Sequence, residues 1–312
     1  MMPGNHWAYI AETGTTVGMR ILIAAHRVGG PPLFKLCLFP VMVFYFVLRS
    51  DSRKASGQYL KRVSQLVDVF PKVTLALQFN HFWQFALALI DKFSIWMGDI
   101  SEEDLILHNI EIVDALVANK QGAIFVISHL GNFEILSAMS QRHDGVKLTV
   151  LHHTRHAEKF NRLLDQYNKN SNVELLQVTE IDATLGMSLS AKIQRGEFVA
   201  VAGDRVPVTN KAATVSCDFL GAKADFPTGP YILASILSVP VVMMICIREQ
   251  GVYQAYFETI SEVAKLNRSQ RQEAIRKIAQ TFANRLELFV YKAPLQWFNF
   301  FDYWHQPKNR DT

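Results

Sequence analysis

A histidine and a glutamate stand five residues apart in residues 122–134, GAIFVISHLGNFE. The apolar run before them predicts a buried strand, the Gly-Asn pair predicts a turn, and the spacing from Phe133 onward predicts the start of a helix. His129 would lie where the strand ends, which is where α/β sheets tend to carry their chemistry. An imidazole there is a candidate general base, and the turn can bring Glu134 back to orient it. On spacing alone, a structural histidine at the end of a strand is the more common case.

A second charged pair, Asp204 and Arg205, directly follows the apolar run at 198–202. Because the ends of parallel strands meet at one edge of a sheet, we expect this pair to lie at the same edge as His129. Both residues are candidates for binding substrate or an oxyanion, although a solvated surface position is the alternative.

Thr228 and Gly229 open a predicted helix, in the segment DFPTGP at 225–230. Thr228 is a good N-cap, and Pro230 suits the first turn. The backbone N–H groups of such a helix end can bind a phosphate or an oxyanion. The alternative is a well-capped helix with no ligand.

The stretch HHTRHAEKFN at 152–161 holds two more candidates, Arg155 and Asn161, in a possible basic patch. Its histidines do not predict a metal site, because His152 and His153 are strand neighbours whose side chains point to opposite faces. No HExxH motif or carboxylate triad accompanies them.

The composition bounds the class of protein. At 312 residues, with 49% hydrophobic residues and a mean hydropathy of +0.08, the chain is greasier than most soluble proteins and far less so than a polytopic membrane protein. Its three cysteines are scattered and form no CxxC pair, which argues against a disulfide framework or a zinc site and for a reducing compartment. Glu12, and the lack of a basic stretch followed by an apolar core, predict no cleavable signal peptide.

Positive charge is concentrated at the N-terminus. Residues 1–62 hold eight basic and two acidic side chains, an excess of six, whereas the whole chain carries only +4. No nucleic-acid motif accompanies this charge, so we expect a membrane surface, and not nucleic acid, as the partner.

The same segment contains the most apolar run, LCLFPVMVFYFVL at 36–48. As a helix it would be about 20 Å long, against a hydrocarbon core of roughly 30 Å. It contains Pro40 and basic residues crowd both ends, which favours a monotopic or re-entrant insertion over a full span. The alternative is a helix buried against the rest of the protein.

The remaining pattern predicts an α/β domain. Residues 56–98 and 101–119 have helical spacing, the second opening at a capping box. Short β-type runs then alternate with helices, which predicts a central, mostly parallel sheet flanked by helices. We expect strands at 147–151, 173–178, 198–202, 239–246 and 252–257, and helices at 157–169, 182–195 and 228–237, with a last long helix from Ser269. The predicted units are a membrane-associated segment, 1–55, and a catalytic domain, 56–312.

Four segments together resemble one family. HLGNFE at 129–134 is similar to the His-x4-Asp/Glu motif of the lysophospholipid acyltransferase superfamily, and FPTGP at 226–230 is similar to its Phe-Pro-Glu-Gly block. GDRVPV at 203–208 and APLQWFNFFDYW at 293–304 resemble segments of its bacterial late acyltransferases of lipid A assembly. These C-terminal aromatics either pack on the core or form part of an interfacial belt, and we expect packing, with Trp304 nearer lipid.

The resemblance implies transfer of an acyl chain from an acyl carrier protein thioester, or acyl-CoA, to a lipid hydroxyl at the cytoplasmic face of the inner membrane. His129 would be the general base and Glu134 its orienter, with Arg205, Arg155 or the helix end at Thr228 as oxyanion donors. Neither a metal nor a cofactor is needed, and phenylalanine-rich residues 79–93 would line an apolar slot for the chain.

Two departures separate the chain from the pattern. Thr228 replaces the glutamate of the superfamily block, and residues 152–161 match the lipid A enzymes chiefly through Arg155 and Asn161. The acceptor lipid is therefore left open. A thioesterase or lipid hydrolase using the same pair, and a membrane-docked protein that binds a lipid or carrier protein without turnover, are the alternatives.

Overall fold

The computed structural model describes residues 16–97, 105–135, 145–152, 173–177, 183–206, 213–262 and 271–304. Within these, seven helices are present: α1 (Thr16–Leu48), α2 (Ser50–Leu66), α3 (Leu75–Met97), α4 (Glu111–Ala118), α5 (Ala183–Gln194), α6 (Gly229–Leu237) and α7 (Arg271–Lys292). The strands are β1 (Leu105–His108), β2 (Ala123–Ile127), β3 (Leu148–His152), β4 (Val173–Gln177), β5 (Phe198–Ala202), β6 (Thr214–Phe219), β7 (Ala222–Pro227), β8 (Val241–Glu249) and β9 (Val252–Ser261).

Seven of these strands form one sheet in the order β1-β9-β8-β2-β5-β3-β4. Every neighbouring pair is parallel except the β8–β9 hairpin, and β6 and β7 form a separate antiparallel pair. The predicted α/β class, with a mostly parallel sheet and an apolar N-terminal helix, is confirmed. The helix predicted over 101–119 is wrong in its first half, because Leu105–His108 pairs with β9 as a strand before α4 begins. The helix predicted over 157–169 lies outside the described residues.

The sheet is buried on both faces, as a parallel sheet requires. All five residues of β2 are buried. Ile124 and Val126 point into the core formed with α6 and α7, whereas Phe125 and Ile127 point into the core beneath α4. This two-sided burial explains why the strand is a continuous apolar run and shows no alternation.

Helix α1 is kinked at Gly30, whose φ of 62° and ψ of −162° are not helical. The kink falls in the Gly-Gly-Pro-Pro stretch at residues 29–32. Beyond the kink, one face of α1 packs on α3, through Phe34, Leu38 and Met42. The rest of its surface exposes large apolar side chains: Leu36, Phe39, Val41, Val43, Phe44, Val47 and Leu48.

Within the described part of the chain, the stretch Ala24–Leu48 is the one helix long and apolar enough to cross a membrane, judged by length and composition alone. The exposed apolar side chains of this helix suggest membrane association. Arg53 donates to the carbonyls of Phe46 and Val47 at the end of α1, and Arg49 lies over the ring of Tyr45. The end of α1 is therefore capped by basic side chains. The predicted boundary after residue 55 falls inside α2, and the division into two units stays a prediction.

The C-terminal aromatics pack on the core, as predicted. Trp297, Phe301 and Tyr303 are almost completely buried, and Trp304 lies against the same cluster beneath the guanidinium of Arg62. Residues 294–298 run between the N-terminal helices and the loop after β2, which brings this segment to the candidate site.

Candidate active site

Two neighbouring parallel strands bring His129 and Asp204 together. The register pairs Ile127 of β2 with Ala202 of β5, so the residues two positions beyond each strand lie side by side. The Gly203 N–H donates to the Ile127 carbonyl at 2.8 Å, which extends the pairing past the strand ends. The sequence-based expectation that Asp204 and His129 share a sheet edge agrees with this geometry.

The contact between the two residues is direct. His129 Nδ1 lies 2.8 Å from Asp204 Oδ1, and the His129 backbone N–H donates to Asp204 Oδ2 at 2.8 Å. Because an ionised carboxylate only accepts hydrogen bonds, the proton of the neutral imidazole resides on Nδ1 and the lone pair on Nε2. The histidine side chain is 32% exposed and that of the aspartate 1%, so the base faces outward from a buried anchor.

Asp204 is held ionised. Burial alone would raise the pKa of this carboxyl, but the charge and hydrogen bonds of His129, together with nearby Arg205, hold the pKa below its ordinary value. The indole Nε1–H of Trp297 also donates to Asp204 Oδ2, at 3.1 Å. The carboxylate therefore accepts from three groups and can stabilise an imidazolium on His129.

The turn after His129 needs its glycine. Gly131 has a φ of +72°, and a Cβ atom there would lie 1.8 Å from the carbonyl oxygen of Cys246 on β8. Asn132 follows: its backbone N–H donates to the same carbonyl at 2.8 Å, and its side chain accepts from the Glu134 N–H at 3.2 Å. The turn is thus fixed to the sheet, and the helix start predicted after it is described only as far as Ile135.

Glu134 is buried, with 8% of its surface exposed. Burial lowers the pKa of His152, at the end of β3, and the charge of Glu134 partly offsets this by raising it. Glu134 therefore lies within electrostatic reach of the carboxyl edge of the sheet. The carboxylate at Nδ1 of His129 is that of Asp204. An orienting role for Glu134 stays a prediction.

Arg205 lies beside the pair and is fixed by the C-terminal segment. Its Nη2 donates to the Phe298 carbonyl at 2.8 Å, and its guanidinium lies over the ring of Phe301. Burial lowers the pKa of Arg205 to about 10, against the opposing effect of Asp204, so the group is charged near neutral pH.

Thr228 and Gly229 lie at the start of α6, as predicted, but the cap differs from the expectation. The Thr228 hydroxyl donates to the Ala213 carbonyl at 2.9 Å and makes no capping bond to the helix. The side chain therefore binds Ala213, the residue before β6. Arg155 and Asn161 lie outside the described residues, as do His153 and His156. The described residues hold no group of three or more His, Cys, Asp or Glu placed to bind a metal.

A pocket of about 240 Å³ adjoins the turn after His129. Its walls come from α3, the turn, the β8–β9 hairpin and the C-terminal segment, and include Ala88, Asn132, Arg248, Tyr253, Gln296 and Phe298. Arg248 and Tyr253 both bond to the Asp91 carboxylate within it. The pocket is half polar, and part of the segment 79–93 lines it.

Sequence reasoning missed the contribution of Trp297. An indole in an aromatic-rich segment looks like core, and nothing in the sequence links it to a carboxylate 93 positions away. A signal was present in the Asp of GDRVPV, whose position after a strand already placed it near His129. The pairing of this Asp with Nδ1 of His129 required the register of β2 and β5.

The arrangement suits general base catalysis: an outward-facing imidazole with a fixed tautomer, a buried carboxylate behind it and a nearby guanidinium. Comparison with curated proteins finds no match for the chain. A family model does match, over residues 67–306, and its description is bacterial lipid A biosynthesis acyltransferase. The matched region contains the His129–Asp204 pair, Glu134 and the C-terminal aromatic segment. The chain belongs to the bacterial lipid A biosynthesis acyltransferase family.

Proposed function

We propose that the protein is an O-acyltransferase that moves an acyl chain from a carrier-protein thioester, or acyl-CoA, to a hydroxyl of a membrane lipid or glycolipid. Family membership suggests acyl transfer to a lipid. The observation that carries the mechanism is the hydrogen bond between His129 Nδ1 and Asp204 Oδ1, which leaves Nε2 as the basic atom of the imidazole.

In the proposed reaction Nε2 of His129 takes the proton of the acceptor hydroxyl as its oxygen attacks the thioester carbonyl. Asp204 stabilises the imidazolium that forms. The tetrahedral intermediate then collapses: the carbon–sulfur bond breaks, the ester remains, and the imidazolium returns its proton to the departing thiolate. The residues of this chain form no covalent acyl intermediate in this scheme.

The developing oxyanion needs hydrogen-bond donors. Arg205 is charged and adjacent to the pair, which supports it as a donor. Arg155 and the backbone N–H groups at Thr228 and Gly229 are the other candidates carried from the sequence. A role for Glu134 in orienting His129 is a separate proposal, and the two carboxylates can be tested separately by substitution.

The acceptor and the donor meet at a membrane in this proposal. The exposed apolar face of α1 would insert into the cytoplasmic leaflet of the inner membrane, with Arg49, Arg53 and Lys54 near anionic headgroups. An apolar slot lined by residues 79–93 would receive the acyl chain, and the half-polar pocket beside Asn132 is a place for polar parts of either substrate.

The test is a transfer assay with the purified full-length protein in inner-membrane lipid vesicles and a long-chain acyl carrier protein thioester. Lipid products are identified by mass spectrometry. A newly acylated lipid supports the proposal and names the acceptor. Free fatty acid without any acylated lipid would favour a hydrolase, and tight carrier-protein binding without turnover would favour a binding protein.

A further inference from the structure

Residues 294–298 connect the N-terminal helices to the candidate active site. From α2, the Tyr59 hydroxyl donates to the Pro294 carbonyl at 2.6 Å. From α3, His81 Nε2 lies 3.0 Å from the Trp297 carbonyl. Both Tyr59 and His81 are completely buried, so water does not compete for these bonds.

The other side of the same segment contacts the catalytic loop. The Phe298 N–H donates to the His129 carbonyl at 3.0 Å, and the Gly131 N–H donates to the Gln296 carbonyl at 2.8 Å. Between these bonds, the Trp297 indole donates to Asp204. The backbone from His129 to Gly131 and the carboxylate behind the imidazole are therefore all tied to one short segment.

We propose that Trp297 is a positioning residue for the His129–Asp204 pair, and that His81 holds Trp297 in place. The effect of this inference on acyl transfer rests on the proposed acyltransferase function. The effect on the titration of the His129 imidazole does not depend on that function.

The hydrogen-bond inventory of Asp204 explains why the indole matters. Oδ2 accepts from the His129 backbone and from Trp297, and Oδ1 accepts from the imidazole. Two donors on Oδ2 prevent the carboxylate from rotating about its terminal torsion. Trp297 itself is 1% exposed and packs edge-on against Tyr59, Phe219 and Tyr303, so its donor is rigid.

The tautomer of His81 follows from its partners. A carbonyl can only accept, so Nε2 carries the proton toward Trp297, and Nδ1 accepts from the Ser56 hydroxyl at 2.9 Å. Burial lowers the pKa of His81 to about 4, against the opposing effect of the Trp297 carbonyl. The imidazole is therefore neutral at physiological pH and acts as a fixed donor.

Removing the indole N–H has a predictable sign. The bond stabilises negative charge on Asp204, and without it the carboxylate attracts an imidazolium more strongly. The His129 pKa should therefore rise in Trp297→Phe. The other titratable groups around the pair, which this variant leaves in place, are Arg205 on the same loop, Tyr231 and Tyr303 within electrostatic reach of Asp204, Glu134 in the turn after His129, and His152 at the end of β3.

The experiment follows the His129 ring by NMR in the full-length protein with ¹³C-labelled histidine, its signal assigned by loss in His129→Asn. We expect Trp297→Phe to raise the His129 pKa. In the acyl-transfer assay kcat should fall roughly ten- to a hundredfold, with little change in KM. This is the size of effect found when a hydrogen-bond partner behind a metal-bound histidine is removed. Trp304→Phe is the matched control. It removes an indole donor in the same cluster that bonds to the Phe219 carbonyl, and it should leave the titration unchanged.

An unchanged His129 titration in folded Trp297→Phe would overturn the proposal, whatever the activity. If that variant does not fold, His81→Leu and His81→Gln decide. Gln keeps an N–H near the position of Nε2, whereas Leu removes it. The His129 pKa and kcat should therefore be closer to wild type in His81→Gln than in His81→Leu. Equal effects of the two variants would overturn the role of His81. A shifted titration in a protein that transfers no acyl chain would uphold the positioning and refute the acyltransferase.

Discussion

His129 and Asp204 are joined by two hydrogen bonds, one from the imidazole and one from the backbone N–H, each 2.8 Å long. The backbone bond fixes the carboxylate relative to the loop, and the side-chain bond fixes the ring relative to the carboxylate. A histidine held in this way has one tautomer and one orientation before substrate arrives, which is what a general base requires.

Asp204→Asn should lower kcat by roughly a hundred- to ten-thousandfold, because an amide can hold the ring in the wrong tautomer and cannot stabilise an imidazolium. KM for the thioester should change little, since Asp204 is 1% exposed and lies behind the base. The measurement is steady-state kinetics, with circular dichroism as a check on folding. Activity within a fewfold of wild type would remove Asp204 from the mechanism.

Glu134→Gln tests the role of the Glu134 carboxylate separately from that of Asp204. If Glu134 also orients His129, the variant should lose activity by about a hundredfold or more, and the double variant with Asp204→Asn should lose far less than the product of the two. Independent effects that multiply in the double variant would show that Glu134 acts elsewhere, for example on substrate or through His152.

The two faces of α1 should respond differently to substitution. Replacing Leu36, Phe44 and Val47 by serine removes exposed apolar surface, each side chain worth about 1.5–3 kcal/mol when buried in lipid, so binding to anionic vesicles should fall by roughly tenfold or more per residue. Thermal stability should barely change. Leu38→Ala, on the face against α3, is the matched control and should instead cost about 2–5 kcal/mol of unfolding free energy.

Unchanged vesicle binding in the triple-serine variant would place the anchor elsewhere. Salt should weaken the binding of the wild-type protein without abolishing it, because screening acts on basic residues and not on the apolar face. Complete release by salt alone would contradict insertion.

His81 should make folding sensitive to acid. Its pKa falls from 6.5 to about 4 on burial, so below pH 6.5 the unfolded chain binds a proton that the folded protein refuses. The free energy of unfolding is unaffected by this group above pH 6.5 and falls as the pH drops from 6.5 to 4. The total loss is about 3 kcal/mol. Its hydrogen-bonded and stacked neighbours, Ser56, Tyr59 and Trp297, carry no charge that would offset the effect.

Denaturant unfolding of the wild type and His81→Gln at several pH values measures this contribution. The wild-type free energy of unfolding should fall more steeply from pH 6.5 to 4 than that of the variant. Parallel curves of unfolding free energy against pH would show that His81 binds its proton at the same pH in the folded and unfolded protein.

Several strands could be predicted because they are apolar runs. Phe198–Ala202 was located to the residue, and β3, β4, β8 and β9 within a few positions. The short strand Leu105–His108 was mistaken for helix because the capping pattern at 101–104 precedes it and because its pairing partner, β9, lies about 150 residues away. Local patterns carry no information about such a partner.

The surroundings of His129 could be predicted only in part. The strand-end position of His129 and Asp204 followed from the sequence, but the partner on Nδ1 depends on strand order, and sequence spacing pointed to Glu134. The role of Trp297 could not be predicted for the same reason. Its indole becomes a hydrogen-bond donor to Asp204 only after the C-terminal segment is folded between α3 and the loop after β2.

The most direct test of the central claim is single-turnover acyl transfer from a labelled acyl carrier protein thioester into inner-membrane lipid, comparing wild type, His129→Ala and Asp204→Asn. We predict labelled acyl lipid from the wild type and a rate roughly a hundred- to ten-thousandfold lower in each variant, with thioester binding intact. Labelled lipid formed at the wild-type rate by His129→Ala would contradict the account.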